Sequence, residues 1–199
     1  FLRDPYGIKP LYYFHKNKTF LFSSTVKSLL NFEKVNKKIC EESLNFFYFF
    51  GSIKENQTII EEIKSFEPGY LYEVDFENNI SNKKIFNITD IFNNPEKERI
   101  DLKESFEDNL IKHLQSDVPL AVLLSSGLDS SVILNILNEK KVNIHPITLG
   151  FEEFKGKIND ETIISENFCK LLKIDHKKIY ISNNEILKNL DDFFLKMDQ

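Results

Sequence analysis

The run from Pro119 to Leu137, PLAVLLSSGLDSSVILNIL, constrains this chain more than any other stretch. Leu120 to Leu124 is a continuous apolar run, as expected of a strand buried on both faces of a parallel sheet. Ser131 to Lys140 has the spacing of a helix, with Val132, Ile133, Ile136 and Leu137 predicted inward. Between them lies one turn, Ser-Ser-Gly-Leu-Asp-Ser-Ser. The same rhythm then repeats. NIHPITLGF reads as a second strand and HKKIYIS as a third. DETIISENFCKLLK reads as a helix with Ile163, Ile164, Phe168, Leu171 and Leu172 on one side, and NNEILKNLDDFFLKM as another. Strands alternating with helices indicate a parallel sheet with crossover helices.

The first half has a different pattern. GIKPLYYF and TFLFSS, joined by HKNK, read as a hairpin with Leu11, Tyr13, Phe20 and Phe22 at period two. TVKSLLNF is a short helix candidate. EESLNFFYFF carries Leu44, Phe47, Tyr48 and Phe50 on one helical face, with Gly51 as its C-cap. FEPGYLYEVDF reads as a Pro-Gly turn opening a strand, and ENNISNKK as a turn-rich joint. A linker is expected near residues 88–101. This gives an antiparallel α+β part over 1–92 and an α/β part over 93–199. Met197 is the only methionine, and both ends read as cut within a longer protein.

The turn after Leu124 is suited to binding phosphate. Ligands of open α/β sheets bind beyond the carboxyl ends of the strands. A helix start there offers free N–H groups and about half a positive charge. Gly127 is able to take a positive φ, and Ser125, Ser130 and Ser131 add hydroxyl donors. Asp129 would repel phosphate directly, so it makes sense as a ligand of Mg²⁺ shared with the phosphates. No lysine follows, so this is not a Walker loop. The alternative is a capped strand-to-helix turn, with Asp129 or Ser130 as the cap and Gly127 as the bend.

A net charge of −5 argues against nucleic-acid binding through phosphate neutralisation. No apolar run reaches the roughly 18–20 residues of a membrane span. Cys40 and Cys169 have no metal-type spacing and read as free thiols of a cytoplasmic protein. His15, His113 and His145 show no ligand spacing.

LLSSGLDSS resembles the pyrophosphate-binding loop, SGGxDSS, of ATP pyrophosphatases. With its SDVP lead it is similar to that of the glutamine-hydrolysing asparagine synthetases. RDPYGIKPLYY, FSSTVKSLL, TIIEEIKSFEPGYLYEV, ITLGF, Asp160-Glu161, His176 and the terminal MDQ continue the match in order, across essentially the whole chain. The resemblance implies the end of an Ntn-type glutaminase domain followed by the start of a Rossmann-like synthetase domain. It implies ATP and Mg²⁺ as cofactors, and glutamine plus aspartate or another carboxylate as substrates, with a homodimer among the assemblies to expect. In the family, an N-terminal cysteine releases ammonia from glutamine. ATP, cleaved between its α- and β-phosphates, activates the acceptor as an acyl-adenylate. Carried over by position, the nucleotide-binding residues are Leu123, Ser125, Ser126, Gly127, Leu128, Asp129, Ser130, Ser131 and Leu149, with Asp129 toward the metal. Leu123 and Leu149 read equally well as strand core. Asp160 and Glu161 read equally well as helix-start charges, and Asp198 and His176 as neighbours of the site. Arg3, Asp4 and Lys9 match a structural hairpin motif.

The match has departures. Ser126 stands where the family has glycine, Thr25 where it has glutamate, and the tail reads DQ. Relatives that amidate other acids, such as surface-sugar precursors, are therefore an alternative, and a non-catalytic nucleotide-binding module is a third reading. The nucleophilic cysteine is expected outside these 199 residues, which alone would be inactive.

Overall fold

A computed structural model of the chain describes residues 1–87, 89–90 and 101–198. The expected linker and the boundary at 92/93 fall on or beside residues outside that set. The described residues form two compact units, one holding 1–90 with 195–198, the other 101–194.

The first unit is antiparallel. β1 (Tyr12–Lys16) and β2 (Thr19–Ser23) form the expected hairpin, with β3 (Ile63–Ser65) on the other side of β1. Asn17 and Lys18 both take positive φ (50° and 58°), the conformation a two-residue hairpin needs to match strand twist. The period-two pattern is present, but the deepest burial lies on the opposite face from the one it suggests. Phe14 is 1% exposed and packs with Val26, Leu29, Val35 and Ile63, whereas Phe22 is 56% exposed. α1 (Val26–Leu30) supplies Val26 and Leu29 to that core. α2 (Glu41–Phe50) ends at Gly51 in the left-handed region (φ 68°), as expected, but its aromatic stripe is not core. Phe47, Tyr48, Phe49 and Phe50 are exposed, and only Ser43 is buried.

Arg3 and Asp4 brace the entry to this unit. The Arg3 guanidinium donates to the carbonyls of Phe66 (2.6 Å), Gly7 (3.0 Å) and Lys9 (3.2 Å). The Asp4 carboxylate accepts from the amides of Ile8 and Lys9, both at 2.9 Å, and of Tyr6 at 3.2 Å. Both are thus structural.

β4 (Tyr70–Val74) and β5 (Ile80–Lys84) form a second, two-stranded antiparallel sheet. The joint expected at ENNISNKK is therefore half strand. Asp75 holds the turn by accepting from the amides of Glu77 and Asn79, both at 2.8 Å, and Ile80 onward is free to pair with β4. The polar run ISNKK hides this strand because β5 is an edge that buries almost nothing.

The second unit is α/β. β6 (Leu120–Leu123), β7 (Ile144–Phe151) and β8 (Lys177–Ile181) form a parallel sheet in the order β6-β7-β8. The helices are α3 (Leu102–Lys112), α4 (Leu128–Glu139), α5 (Glu161–Leu172) and α6 (Asn183–Lys196). One sheet face is the core, where Leu124, Leu134, Leu137, Ile144 and Cys169 pack together. The other is open among the described residues. Leu123 is 70% exposed and Leu149 48%, so β6 is not covered on both faces as expected.

Two helices meet the core only partly through the residues their apolar spacing suggests: Ile133, Ile136 and Leu137 of α4 and Phe168 and Leu172 of α5 are buried or packed on it, but the rest are not. α4 buries Leu134, Ile136 and Leu137, and leaves Val132 exposed. α5 buries Thr162, Ser165 and Cys169, while Ile163, Ile164 and Leu171 are exposed. The reason lies in β7. A Cβ at Gly150 would stand 2.7 Å from Thr162 Cγ2 and 2.9 Å from the Tyr180 ring, so the absent side chain lets α5 approach with its small residues inward.

Candidate functional site

β6 ends at Leu123, and the next amide, that of Leu124, still bonds to the Ile147 carbonyl at 2.8 Å. The chain then turns through Ser125, Ser126 and Gly127 into α4, at the carboxyl edge of the parallel sheet, where such folds bind ligands. Gly127 is the N-cap residue, with φ −77° and ψ 156°. It does not use the positive φ that glycine permits, and neither does Ser126. Serine in place of glycine at 126 therefore carries no backbone strain.

No side chain caps α4. The capped-turn alternative, with Asp129 or Ser130 as cap, is thus not what the structure adopts. The first-turn amides stay open, as at any uncapped helix start. The serines brace the loop instead. Ser125 and Ser130 hydroxyls lie 3.0 Å apart, the Gly127 amide donates to Ser125 Oγ at 3.1 Å, and Ser131 Oγ donates to the Gly127 carbonyl at 2.8 Å. The hydroxyls expected to serve as phosphate donors thus also hold the loop's shape. Asp129 and Leu128 are exposed on the first turn of α4.

Strand register places Leu123 opposite Ile147 and Leu149 opposite Ile179. With alternating side chains, Leu123, Leu149 and Ile179 share the open face of the sheet. The loop therefore has an accessible apolar surface beside it, and the two leucines are not core in this structure. Beyond Leu149, a small open cavity of about 180 Å³ is lined by Leu149, Phe151, Phe154, Asn159 and Asp160.

Asp160 shapes that cavity. It is 4% exposed and caps α5 through the Thr162 amide (3.0 Å) and hydroxyl (2.6 Å). It also accepts from the Gly156 amide (2.8 Å) and the Tyr180 hydroxyl (3.1 Å). The Thr162 hydroxyl, followed by the Gly156 amide, lowers its pKa to about 2. Because the folded value lies below the ordinary 3.8, its stabilisation is complete above about pH 4 and is lost as pH falls through about 2. Urea midpoints at pH 5, 3 and 2 should therefore fall more steeply in the complete wild-type protein than in an Asp160→Asn variant. Parallel profiles would contradict this role.

His176 does not meet the loop directly, and Asp198 serves the first unit. The Asp198 carboxylate, within the first unit, accepts from the amides of Val26 (2.8 Å) and Lys27 (3.0 Å) at the start of α1. His176 bonds to Thr148. Both cysteines are free. Cys169 is buried, with its thiol pushed up by desolvation, and Cys40 precedes α2. Among the described residues, no group of three or more His, Cys, Asp or Glu could hold a metal ion, and no helix is long and apolar enough to cross a membrane.

Residues 101–199 match the asparagine synthase family model, and residues 1–86 match that of the glutamine amidotransferase domain. Similar proteins match across both halves. Asparagine synthetase [glutamine-hydrolyzing] 1 of Bacillus subtilis is 30% identical over 190 residues, 94% of this chain and 29% of that protein. A putative asparagine synthetase [glutamine-hydrolyzing] 2 of Methanocaldococcus jannaschii is 26% identical, over 96% of this chain and 38% of its own. Asparagine synthetase [glutamine-hydrolyzing] 3 of Bacillus subtilis is 26% identical, over 98% and 34%. The chain belongs to the glutamine-hydrolysing asparagine synthetase family. It spans about a third of the length of these relatives. The antiparallel unit is the glutaminase-type part of that architecture and the parallel unit the synthetase-type part. The loop stood out in the sequence, while the contacts of Thr148 and Gly150 emerge only from the packing.

Proposed function

We propose that the complete protein is an ATP-dependent, glutamine-hydrolysing amide ligase that makes asparagine from aspartate. The observation that carries this reading is the uncapped start of α4 at the carboxyl edge of a parallel strand, in a chain that matches both halves of the family. The amides of Leu128, Asp129 and Ser130 would receive the β- and γ-phosphates, the pyrophosphate of the reaction. The apolar surface of Leu123 and Leu149 would take the base or sugar. Ser125, Ser126, Gly127 and Ser131 would shape and line the loop.

Asp129 suits Mg²⁺, because that ion is usually held by one or two carboxylates together with substrate phosphates. When bound, it would neutralise charge on the leaving pyrophosphate. On this reading the aspartate side-chain carboxylate attacks the α-phosphorus, and the bond to the β-phosphate oxygen breaks. Ammonia then displaces AMP from the acyl carbon and loses a proton. Developing charge on pyrophosphate is met by amides already in place, so little reorganisation is needed. A reducing cytoplasm fits the two free cysteines. A homodimer completes the reading and is open to light scattering.

The test is to give the complete protein aspartate, glutamine and Mg-ATP, then measure asparagine, AMP and pyrophosphate. Equal amounts of all three are expected. AMP formation with a different carboxylate, and no asparagine, would move the protein to the amidotransferases of other acids. Failure to bind Mg-ATP would remove the reading altogether.

A further inference from the structure

The polar contacts beneath the loop form one directed chain of donors and acceptors. Thr148 is 1% exposed on the core side of β7. Its hydroxyl lies 2.7 Å from the Leu124 carbonyl oxygen and 2.8 Å from His176 Nε2. A carbonyl can only accept, so the single Thr148 proton goes to Leu124. Thr148 Oγ1 must then accept from His176, which places the ring proton on Nε2. His176 Nδ1 is buried without a hydrogen-bond partner among the described residues. Burial, followed by the nearby Lys178 charge, lowers the pKa of His176, while Glu166 opposes the shift. The neutral Nε2–H form is the one the site accommodates. Such an orphaned buried nitrogen is rare enough to need a reason.

The other end of this hydrogen-bond chain is the start of the loop. The Leu124 carbonyl belongs to the same peptide plane as the Ser125 amide, which donates to Ser130 Oγ at 3.2 Å. In a trans peptide, the C=O and N–H point in opposite directions. Thr148 grips one edge of this plane and Ser130, on the first turn of α4, grips the other. This is the first peptide of the loop.

We infer that His176 and Thr148 are positioning residues for nucleotide binding, which lock the Leu124–Ser125 peptide so that the start of α4 is held ready for the phosphates. This rests on the loop being the nucleotide site. Neither residue touches the ligand; His176 acts through Thr148, and Thr148 through the Leu124 carbonyl.

The experiment uses the complete protein and Mg-ATP, with equilibrium binding and thermal unfolding measured on the same samples. Thr148→Val, isosteric but without the hydroxyl, and His176→Leu, without the donor, should each weaken Mg-ATP binding by about tenfold. Thr148→Ser and His176→Gln keep the hydroxyl and a donor near Nε2, so they should stay within about twofold of wild type. The Thr148→Val/His176→Leu double variant should bind no worse than the weaker single, because both break one chain. Should His176→Leu fail to fold, the isosteric Thr148→Val decides. Lower melting temperatures with unchanged Mg-ATP affinity in Thr148→Val would overturn the inference while leaving the proposed function standing. Multiplying effects in the double variant would also overturn it. If the unsubstituted protein does not bind Mg-ATP, the proposed function falls first and the inference falls with it.

Discussion

Asp129→Ala in the complete protein is expected to lower ATP-dependent amide formation by at least about a hundredfold, with almost no change in thermal unfolding. Two roles for Asp129 predict different sizes of effect. As a negative charge on the first turn of α4, it would stabilise the helix by about 0.3–1 kcal/mol. That is less than a factor of ten on any equilibrium, since tenfold corresponds to about 1.4 kcal/mol. As the group that holds a divalent ion against the phosphates, its loss removes charge neutralisation where the leaving group forms, with a cost of about 10²–10³. Asp129 is exposed and no side chain caps α4, so the folded protein has little else to lose. Asp129→Asn separates the roles further. It keeps size and polarity but removes the charge, and should be nearly as inactive as the alanine variant. If Asp129→Asn retains more than about a tenth of the activity, the metal-holding role fails.

The elements of this chain were more legible than their orientations. Local chemistry dictates the hairpin at Asn17 and Lys18, the left-handed cap at Gly51 and the three parallel strands, and all three were readable from the sequence. Which face of an element is covered depends on what lies opposite, and periodicity does not carry that information. Apolar spacing pointed to Ile163, Ile164, Phe168, Leu171 and Leu172 on α5; Phe168 and Leu172 do pack on the core, but Gly150 draws in Thr162, Ser165 and Cys169 in place of the other three. Phe14 escaped the pattern of β1 because its more aromatic neighbours lie on the other face. The site shows the same division. The composition of Ser125 to Ser131 is what raised phosphate binding as a proposal, and the start of α4 carries no side-chain cap. The negative φ of Gly127 had no sequence signal, because glycine permits both signs. The pairing of His176 with Thr148, 28 positions away, arises only when β7 and β8 lie side by side.

The largest loss of stability is expected from Leu134→Ala, a residue outside the inward set that spacing suggested for α4. Leu134 is 0% exposed and packs with Leu124, Leu137, Ile144 and Cys169, directly beneath the loop. Truncation removes the transfer energy of a buried leucine and leaves a cavity that close-packed neighbours fill only in part. The cost is about 2–5 kcal/mol. Val132, one turn-face away and 39% exposed, should lose much less on the same change. Leu134→Met keeps most of the volume and should cost less than about 1.5 kcal/mol. Urea-dependent hydrogen exchange at the Leu124 amide, bonded to the Ile147 carbonyl at 2.8 Å, reads this unit directly within the complete protein. A Leu134→Ala protein within about 0.5 kcal/mol of wild type would mean that α4 is not seated on this core. The loop proposed to hold the phosphates would then lose its support, because the same helix that buries Leu134 presents the open amides of Leu128, Asp129 and Ser130 at its start.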